Sequence, residues 1–460
     1  MKLPFLDRKE ETSRLLRLVA RDDGSFGVLY GRRRCGKSRL LRETVPLATS
    51  VFFVGDDRNA ALQRSSLAAE MSRTLPGFGG VTYPDWDVLF ARWWNEAEAG
   101  TTLILDEFPS LVSRAPELPS VLQKYIDHHS DRGLHLVVTG SSQRMMQGLV
   151  LDRSAPLYGR ASEILKIIPL AAGWINQALA IEEPVQAVEA FAVWGGIPRY
   201  WELAADYADQ TSAMRMIVLD PLGVLHEEPG RLLLDDLRDT TQAASILSLI
   251  GRGCHRVSEI AGRMGKPATS LGRPLQRLME MDLITRSVPF GQSLHGSKKT
   301  LYRIADPFLR FWFRFVEPNR SRLEARQVDV VEQEIAGVLP HHIGSVWEDL
   351  ARRSVPFLRL HPHRTWGQAS RWWGAGTDRR PLEIDVVAED TSGKHLLVGE
   401  VKWAAPREAG RIMYELQQKI ERLPFVKGRK VTPLLWLKNA PADLPRTEVV
   451  TPGQVLDVLR

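Results

Sequence analysis

The sequence has little cysteine and no long apolar run, and each absence excludes a class of protein. Only two of its 460 residues are cysteine, Cys35 and Cys254, too far apart to form a metal-ligand pattern. A disulfide-built fold is therefore excluded, and a reducing, cytoplasmic setting is expected. No stretch approaches the roughly 18 consecutive apolar residues of a membrane span. Charge begins at once with Asp7 and Arg8, unlike a secretory signal, so we expect no membrane partner.

Internal repeats and low-complexity tracts are also lacking, and the composition is that of an ordinary globular protein. Hydrophobic residues make up 44% of the chain and charged residues 25%. A chain of this length is too long for one compact core, which predicts two to four domains.

The net charge of +6 is modest, but the excess is concentrated in one segment. Residues 252–303 contain ten lysines or arginines against three acidic residues, an excess of seven. The rest of the chain is close to balance. A polyanionic partner, if there is one, is therefore expected to bind this segment.

Short apolar runs alternate with helix-compatible segments in the first part of the chain. The runs are 26–30, 51–54, 103–105, 134–138 and 164–168. Strands that alternate with helices predict a mostly parallel sheet covered on both faces, here over residues 1–170. From about 171 to 250 helical patterning takes over, with an interruption at Gly195–Pro198.

The segment Gly31–Ser38 fits the pattern G-x-x-x-x-G-K-[ST] at every fixed position. It follows a predicted strand and opens a predicted helix, which is the context that this phosphate-binding loop requires. Backbone amides of Gly31, Arg32, Arg33, Arg34, Cys35 and Gly36 would surround the phosphates of ATP. Lys37 would reach the β- and γ-phosphates, and the Ser38 hydroxyl would bind Mg²⁺.

Two acidic residues at the end of a later strand complete this predicted site. Asp106 would share the Mg²⁺ ion with Ser38, and Glu107 would polarise the attacking water. Ser141, at the end of the next strand, is a candidate sensor of the γ-phosphate, although ordinary turn chemistry explains it equally well. Arg160 is a candidate arginine finger acting on a neighbouring copy in a homo-oligomer, with a surface ion pair as the alternative.

The basic segment predicts a winged helix. Helices are expected at 241–251, 257–264 and 268–281, followed by a two-stranded wing at 283–288 and 300–304. The third helix would carry its polar side chains into a DNA major groove. Lysines at the wing would contact phosphates. The alternative is a module that binds protein only. The candidate DNA-binding residues are Thr269, Ser270, Arg273, Arg277, Lys298 and Lys299.

Near the C-terminus, two apolar segments predict a β-hairpin with acidic residues at one end. Asp385 ends one strand, and alternation places Glu400 and Lys402 on the same face of the next. Asp385 and Glu400 would bind Mg²⁺, and Lys402 would orient the attacking water. Glu348, on the preceding helix, is a further candidate catalytic residue. The alternative is a set of charges on an exposed hairpin.

Together these motifs resemble the archaeal-type ATPase family of the AAA+/STAND grouping. The matching motifs follow one another in order along nearly the whole chain: Phe5–Glu11, Gly31–Ser38, Leu105–Phe108, Gly140–Ser142, Leu157–Arg160, Gly195–Pro198 and Asp306–Trp312. The resemblance implies a central P-loop strand and a helical lid. The C-terminal part resembles the PD-(D/E)XK nuclease superfamily. Asp385, Glu400 and Lys402 fall on its metal and catalytic positions, and Glu348 on its helical acid.

The expected fold class is therefore α/β. A P-loop ATPase core at 1–170 is followed by a helical lid at 171–240, a winged helix at 241–310, a linker at 311–335 and a PD-(D/E)XK nuclease-like domain at 336–460. The first functional hypothesis is an ATP-hydrolysing protein that acts on DNA and cleaves it with Mg²⁺. The second is a STAND-type regulatory switch that binds DNA or protein without cleavage, and the third is a motor acting on protein.

Overall fold

The computed structural model of the chain describes residues 3–236, 240–294, 297, 299–360, 364–403, 409–441 and 444–460. Its contacts divide the chain into two compact units. The N-terminal unit consists mainly of Asp7–Pro169, and the C-terminal unit mainly of Leu170–Leu233 with Asp239–Arg460. Among the helices of these described ranges, none is long and apolar enough to cross a lipid bilayer.

The N-terminal unit is built on a parallel five-stranded sheet, and each of its strands coincides with one of the apolar runs in the sequence. The strands are β1 Ser25–Tyr30, β2 Ser50–Val54, β3 Thr102–Asp106, β4 His135–Gly140 and β5 Glu163–Lys166. Their order in the sheet is β2-β3-β4-β1-β5, and every neighbouring pair is parallel. All residues of β3 and β4 are buried, as expected for strands covered on both faces. The P-loop strand β1 is an interior strand, although it lies one position from the centre.

Helices connect these strands and supply the rest of the core. They are α1 Lys9–Val19, α2 Lys37–Thr44, α3 Ala60–Met71, α4 Trp86–Glu96, α5 Phe108–Arg114, α6 Leu118–His128 and α7 Gln143–Met146, which continues as a π-helix over Gln147–Leu151, with short 3₁₀ turns at Leu47–Thr49 and Ser130–Arg132. The side chain of Asp85 caps α4 by accepting a hydrogen bond from the Val88 amide. Trp86, Phe90 and Trp93 of α4 are buried among aliphatic side chains of the sheet.

The C-terminal unit begins with a helical segment, as the sequence predicts. It comprises a 3₁₀ turn at Ala172–Trp174, α8 Ile175–Leu179, α9 Pro184–Trp194, α10 Pro198–Ala204, α11 Gln210–Met214 with a π-helical continuation over Arg215–Leu219, and α12 Glu228–Asp236. Gly195 ends α9 with φ 62°, a conformation that favours glycine, and Pro198 starts α10. The Gly195–Pro198 motif is therefore a helix–helix turn.

Three helices and a two-stranded antiparallel sheet follow, in the order typical of a winged helix. They are α13 Thr240–Gly251, α14 Val257–Met264, a 3₁₀ turn at Ala268–Leu271, α15 Gly272–Glu280, β6 Ile284–Ser287 and β7 Leu301–Ile304. The third predicted helix therefore begins as a 3₁₀ turn and becomes an α-helix only from Gly272. Leu271, Leu275 and Leu278 form its buried face.

The last part of the chain contains a long helix and a mixed five-stranded sheet. Its elements are α16 Pro307–Phe311 with a π-helical continuation over Trp312–Val316, a 3₁₀ turn at Glu317–Asn319, α17 Arg320–Glu324, α18 Val328–Ser354, β8 Ser370–Ala375, β9 Pro381–Glu389, β10 His395–Lys402, α19 Ala409–Glu421, β11 Lys430–Leu437, a 3₁₀ turn at Arg446–Glu448, β12 Val449–Val450 and α20 Pro452–Val458. The sheet order is β12-β11-β10-β9-β8. The predicted hairpin is present, since β9 and β10 pair antiparallel. Neither of the two cysteines, both buried, forms a disulfide.

Candidate functional site

The loop Gly31–Ser38 lies between the carboxyl end of β1 and the start of α2, where amide groups at a helix N-terminus favour an anion. Two glycines give the loop its shape, since Gly31 has φ 145° and Gly36 has φ 93°. Arg33 is exposed, whereas Arg32 and Cys35 are buried.

Lys37 and Ser38 point from the first turn of α2 into this loop and towards β3. The Lys37 ammonium is buried and donates hydrogen bonds to the carbonyl oxygens of Gly31 at 2.8 Å and Arg32 at 3.3 Å. The Ser38 hydroxyl donates to Asp106 Oδ2 at 2.5 Å. The structure therefore brings the phosphate-binding loop and the acidic end of β3 together, as the sequence predicts, although β4 lies between β1 and β3 in the sheet.

Hydroxyl groups at the end of β4 hold the two acidic residues. Thr139 donates a hydrogen bond to Asp106 Oδ1. Ser141 donates to Glu107 Oε1 at 2.6 Å and accepts a hydrogen bond from the Lys37 ammonium at 3.0 Å. Ser141 thus joins the lysine to the glutamate, and the structure brings this predicted residue into the site.

The charges in this cluster act on one another. Burial lowers the pKa of Lys37, while the carboxylates of Glu107 and Asp106 act in the opposite direction. A buried ammonium at the N-terminus of α2 favours the binding of an anion. Ser38 and Asp106 offer a hydroxyl and a carboxylate next to it. That donor set fits a Mg²⁺ ion whose other ligands are phosphate oxygens and water.

Arg8 is a residue of this site that sequence reasoning did not single out. Its guanidinium is buried and donates to the carbonyl oxygens of Cys35 at 3.2 Å and Ile168 at 2.6 Å. It also pairs with Glu11 at 3.0 Å. Arg8 therefore ties the phosphate-binding loop to the segment after β5. The only signal for it was its place in the Phe5–Glu11 motif.

Gly31 offers a test of how tightly the loop is packed. A Cβ atom at Gly31 would lie 2.2 Å from the carbonyl oxygen of Ile167, and φ 145° is strained for any other residue. We expect Gly31→Ala to destabilise the N-terminal unit by on the order of 3 kcal/mol and to weaken ATP binding. Gly148→Ala is the control, because a Cβ there meets nothing within 4 Å. Thermal unfolding and nucleotide titration check both effects, and equal behaviour of the two variants would contradict the expectation.

Arg160, the candidate arginine finger, is held by an ion pair in its own unit. It donates to both carboxylate oxygens of Asp127, at 2.7 and 2.8 Å, and to the carbonyl oxygens of Pro156 and Tyr158. This is the surface ion pair that the sequence left as the alternative. A finger role stays a prediction, and it requires the guanidinium to leave Asp127 first.

The second predicted cluster forms on the sheet of the C-terminal unit. Asp385 Oδ2 accepts a hydrogen bond from the Val401 amide at 3.0 Å. The Lys402 ammonium lies 2.9 Å from Glu400 Oε2 and 3.8 Å from Asp385 Oδ2. The three residues are therefore neighbours. Asp385 was expected to end its strand but lies in the middle of β9, because β9 extends from Pro381 to pair with β8. Glu400 is 5% exposed, which excludes a solvated hairpin charge.

Two further residues shape this cluster. Lys419, on α19, pairs with Glu400 Oε1 at 2.7 Å, so a lysine contacts each carboxylate oxygen of Glu400. Sequence reasoning missed Lys419, whose helical position carries no motif. Burial raises the pKa of Glu348, and the charge of Asp385 adds to this effect. Burial acts to lower the pKa of Lys402, but Glu400 and Asp385 outweigh it, so that pKa is raised.

Among the described residues, this cluster offers Mg²⁺ two carboxylate ligands. Among the residues that the structure describes, no group of three or more histidine, cysteine, aspartate or glutamate side chains is arranged to hold a metal ion. Asp385 and Glu400 would bind one Mg²⁺ ion with water completing its shell, as this ion commonly does. The ion would have to displace Lys402, whose ammonium lies between the two carboxylates.

The predicted DNA-binding residues fall into two groups in the structure. Thr269, Ser270, Arg273 and Arg277 are all exposed along the 3₁₀ turn and α15. Lys299 lies beside Gly374 of β8, and nearby Phe290 packs against Phe425, so this end of the wing faces the C-terminal sheet. Lys299 is nevertheless exposed, so its contact with DNA phosphates stays a prediction. Lys298 lies outside the described residues.

Two family comparisons cover most of this chain. Residues 5–202 match a family described as an ATPase domain predominantly from Archaea. Residues 312–412 match a family described as archaeal and bacterial proteins of unknown function. The predicted archaeal-type ATPase domain is thereby confirmed. The second family carries no stated activity, so the nuclease resemblance stays a prediction.

Individual proteins are similar to this chain in sequence or in structure. An uncharacterized protein of Methanocaldococcus jannaschii is 28% identical over 431 residues, which cover 90% of this chain and 91% of that protein. A Walker-type ATPase of Pyrococcus abyssi is similar in structure, with a TM-score of 0.51 and 20% identity over 67% of this chain and 96% of that chain. The ORC2 protein of Aeropyrum pernix gives a TM-score of 0.43 and 18% identity over 73% and 97% of the respective chains. The Pyrococcus likeness supports the P-loop ATPase fold.

Proposed function

We propose that this chain, whose residues 5–202 form an archaeal-type ATPase domain, hydrolyses ATP and uses nucleotide binding to control an action on DNA. The observation that carries the ATPase part is the cluster in which Lys37, Ser38, Asp106 and Glu107 meet at the phosphate-binding loop. The DNA part rests on the basic segment and its helix α15. Cleavage of DNA rests on the Asp385–Lys402 cluster.

In the proposed hydrolysis, each residue has one task. The loop amides and Lys37 bind the phosphates and neutralise the charge that develops on them. Ser38 and Asp106 would hold Mg²⁺, which would supply positive charge beside the phosphates. The Glu107 carboxylate orients the attacking water and accepts its proton. Phosphate release by the purified protein in magnesium buffer, abolished by a chelator, tests this part. A purified chain that takes up no nucleotide in calorimetry would overturn it.

In the proposed DNA contact, α15 lies in a major groove. Arg273 and Arg277 are four residues apart and therefore share one exposed face of this helix. Arginine forks suit both phosphates and guanine edges. No carboxylate lies within 4.0 Å of either guanidinium among the residues that the structure describes, so both remain available to an anion.

We expect the double variant Arg273→Gln with Arg277→Gln to bind duplex DNA at least about tenfold more weakly, because two charge-assisted hydrogen bonds are removed. Fluorescence anisotropy at two salt concentrations measures the affinity and its salt dependence. The control is the pair Arg326→Gln with Arg411→Gln, whose side chains are also exposed. Equal affinity of the two double variants would contradict a role of α15 in DNA binding.

In the proposed cleavage, Asp385 and Glu400 would hold Mg²⁺, which when bound supplies hydroxide at neutral pH. Lys402 would orient the attacking group and stabilise the charge that develops on the phosphate. Support comes from the proximity of these residues on β9 and β10 and from the burial of Glu400. Lys419 would hold the Glu400 carboxylate in position.

The alternative is a regulatory ATPase that binds DNA or protein and cleaves nothing. It is favoured by the two lysine contacts of Glu400, which satisfy the cluster without a metal ion. Slow ATP turnover with a tightly held nucleotide and no nicking of DNA would support this alternative. ATPase stimulation by a polypeptide and not by DNA would instead support a motor that acts on protein.

A further inference from the structure

A large cavity with a strongly basic wall lies in the C-terminal unit. Its volume is about 860 Å³, within the range of cavities that hold drug-sized ligands. Residues of α13, β7, α16, α18, β8 and β10 line it, including one carboxylate, Glu348. We call it the arginine cavity. Six cationic side chains line it among the residues that the structure describes: Arg252, Arg303, Arg310, Arg314, Arg371 and Lys402.

Four of these six cations have a carboxylate within hydrogen-bonding distance. Their partners within 3.0 Å are Glu317 for Arg252, Asp349 for Arg310, Glu383 for Arg371 and Glu400 for Lys402. These ion pairs fix the walls of the cavity. These four cations are therefore already paired with carboxylates, unlike the other two.

Arg303 and Arg314 are the two cations without such a partner. The nearest carboxylate oxygens to the Arg303 guanidinium, on Glu348 and Asp349, are 4.0 Å away. The Arg314 guanidinium lies over the ring of Phe315, at 5.2 Å, and no carboxylate approaches it within 4.0 Å in the described part of the chain. Both guanidiniums therefore retain hydrogen-bond donors that an anion in the cavity would satisfy.

Their surroundings make this charge costly without an anion. Burial lowers the pKa of Arg303, and the positive charges of Arg371 and Arg352 add to that effect, whereas Asp349 opposes it. Burial also lowers the pKa of Arg314, with a further contribution from Arg310. An anion beside these side chains would reverse the desolvation and repulsion that act on them. Arginine forks match phosphate oxygens in particular.

We propose that the arginine cavity binds the phosphate backbone of an oligonucleotide strand, next to the carboxylate and lysine of the predicted cleavage cluster. Glu348 and Lys402 lie in the cavity wall, so a strand held by Arg303 and Arg314 passes that cluster. Because the other four cations are already paired, Arg303 and Arg314 are the two that would each contact a phosphate of one strand. This inference rests on the proposed action on nucleic acid, but it requires no cleavage.

The test is anisotropy of a short fluorescein-labelled single strand with the full chain, in EDTA so that no strand is cut. We expect the double variant Arg303→Gln with Arg314→Gln to bind about tenfold more weakly. The slope of log affinity against log salt should fall by about 0.7 for each phosphate that the variant no longer neutralises. Arg303→Lys with Arg314→Lys keeps the charges but not the guanidinium forks and should recover part of the affinity, which excludes misfolding as the cause.

Controls and competitors separate the possible outcomes. Arg326→Gln with Arg411→Gln removes two exposed arginines outside the cavity and should bind like the wild type. Unaltered binding by the Arg303→Gln, Arg314→Gln variant would overturn this inference but not the proposed action on DNA. Displacement of the strand by inorganic phosphate or a mononucleotide at equal phosphate concentration would also overturn it, in favour of a free phosphate ligand. A wild-type chain that binds no nucleic acid would overturn the proposed action on DNA itself.

Discussion

Replacing Lys37 with alanine is expected to reduce ATP turnover by at least about a hundredfold, because it removes the one ammonium buried within the phosphate-binding loop among the described residues. Turnover is measured as phosphate release in magnesium buffer. The fold should survive, since Lys37 carries a burial penalty that alanine does not have. Lys124→Ala is the matched control in the same unit, because Lys124 is exposed and pairs with Asp87.

A companion variant separates binding from hydrolysis. Glu107→Gln keeps the shape of the side chain and an oxygen that accepts the hydrogen bond from Ser141, but it cannot take a proton from water. It should bind ATP with nearly normal affinity in calorimetry and turn it over at least about a hundredfold more slowly. Normal turnover in Lys37→Ala would mean that hydrolysis occurs elsewhere. Loss of binding in Glu107→Gln would give Glu107 a structural role instead.

Asp385→Asn is expected to remove Mg²⁺-dependent cleavage of DNA, by at least about a hundredfold, while ATP turnover stays normal. The asparagine oxygen still accepts the hydrogen bond from the Val401 amide, so the hairpin should be preserved. A neutral amide, however, is a poor ligand for Mg²⁺. The bound ion would lose several kcal/mol of stabilisation by the carboxylate charge. Nicking of supercoiled DNA measures the effect. Asp378→Asn is the control, since Asp378 lies in the same unit and pairs with Arg422.

The outcomes of this experiment decide between the main proposal and the regulatory alternative. A wild-type protein that nicks no DNA in Mg²⁺ or Mn²⁺ would exclude cleavage and favour the switch. Cleavage that persists in Asp385→Asn would place the activity at another site or in a contaminant. Lys419→Met adds a check on the cluster, because removing this partner of Glu400 should reduce cleavage without affecting ATP turnover.

Much of the N-terminal unit was predictable because its signals are local. The apolar runs at β1, β3 and β4 become buried strands, and the loop that joins β1 to α2 carries its glycines, lysine and serine within eight residues. Such spacing fixes which backbone amides and side chains can face a phosphate. The antiparallel pairing of β9 and β10 followed in the same way from two adjacent apolar segments.

Contacts between distant segments were not predictable from such patterns. Arg8 reaches the carbonyl oxygen of Ile168, which is 160 positions away in the sequence. Arg160 pairs with Asp127, and the pattern Leu-Tyr-Gly-Arg does not indicate which residue the arginine pairs with. Lys299 is exposed, as expected, but no pattern indicated that its ammonium would lie beside Gly374 of β8.

The sequence by itself determined the phosphate-binding loop, the acidic strand end that serves it and the strands between, because residue type and short spacing decide these features. Only the tertiary structure decided that lysines contact both oxygens of Glu400 and that Arg303 and Arg314 face one cavity without a close carboxylate. The physical reason is that burial and ion pairing depend on which surfaces the folded chain brings together. No motif of a few residues encodes that choice.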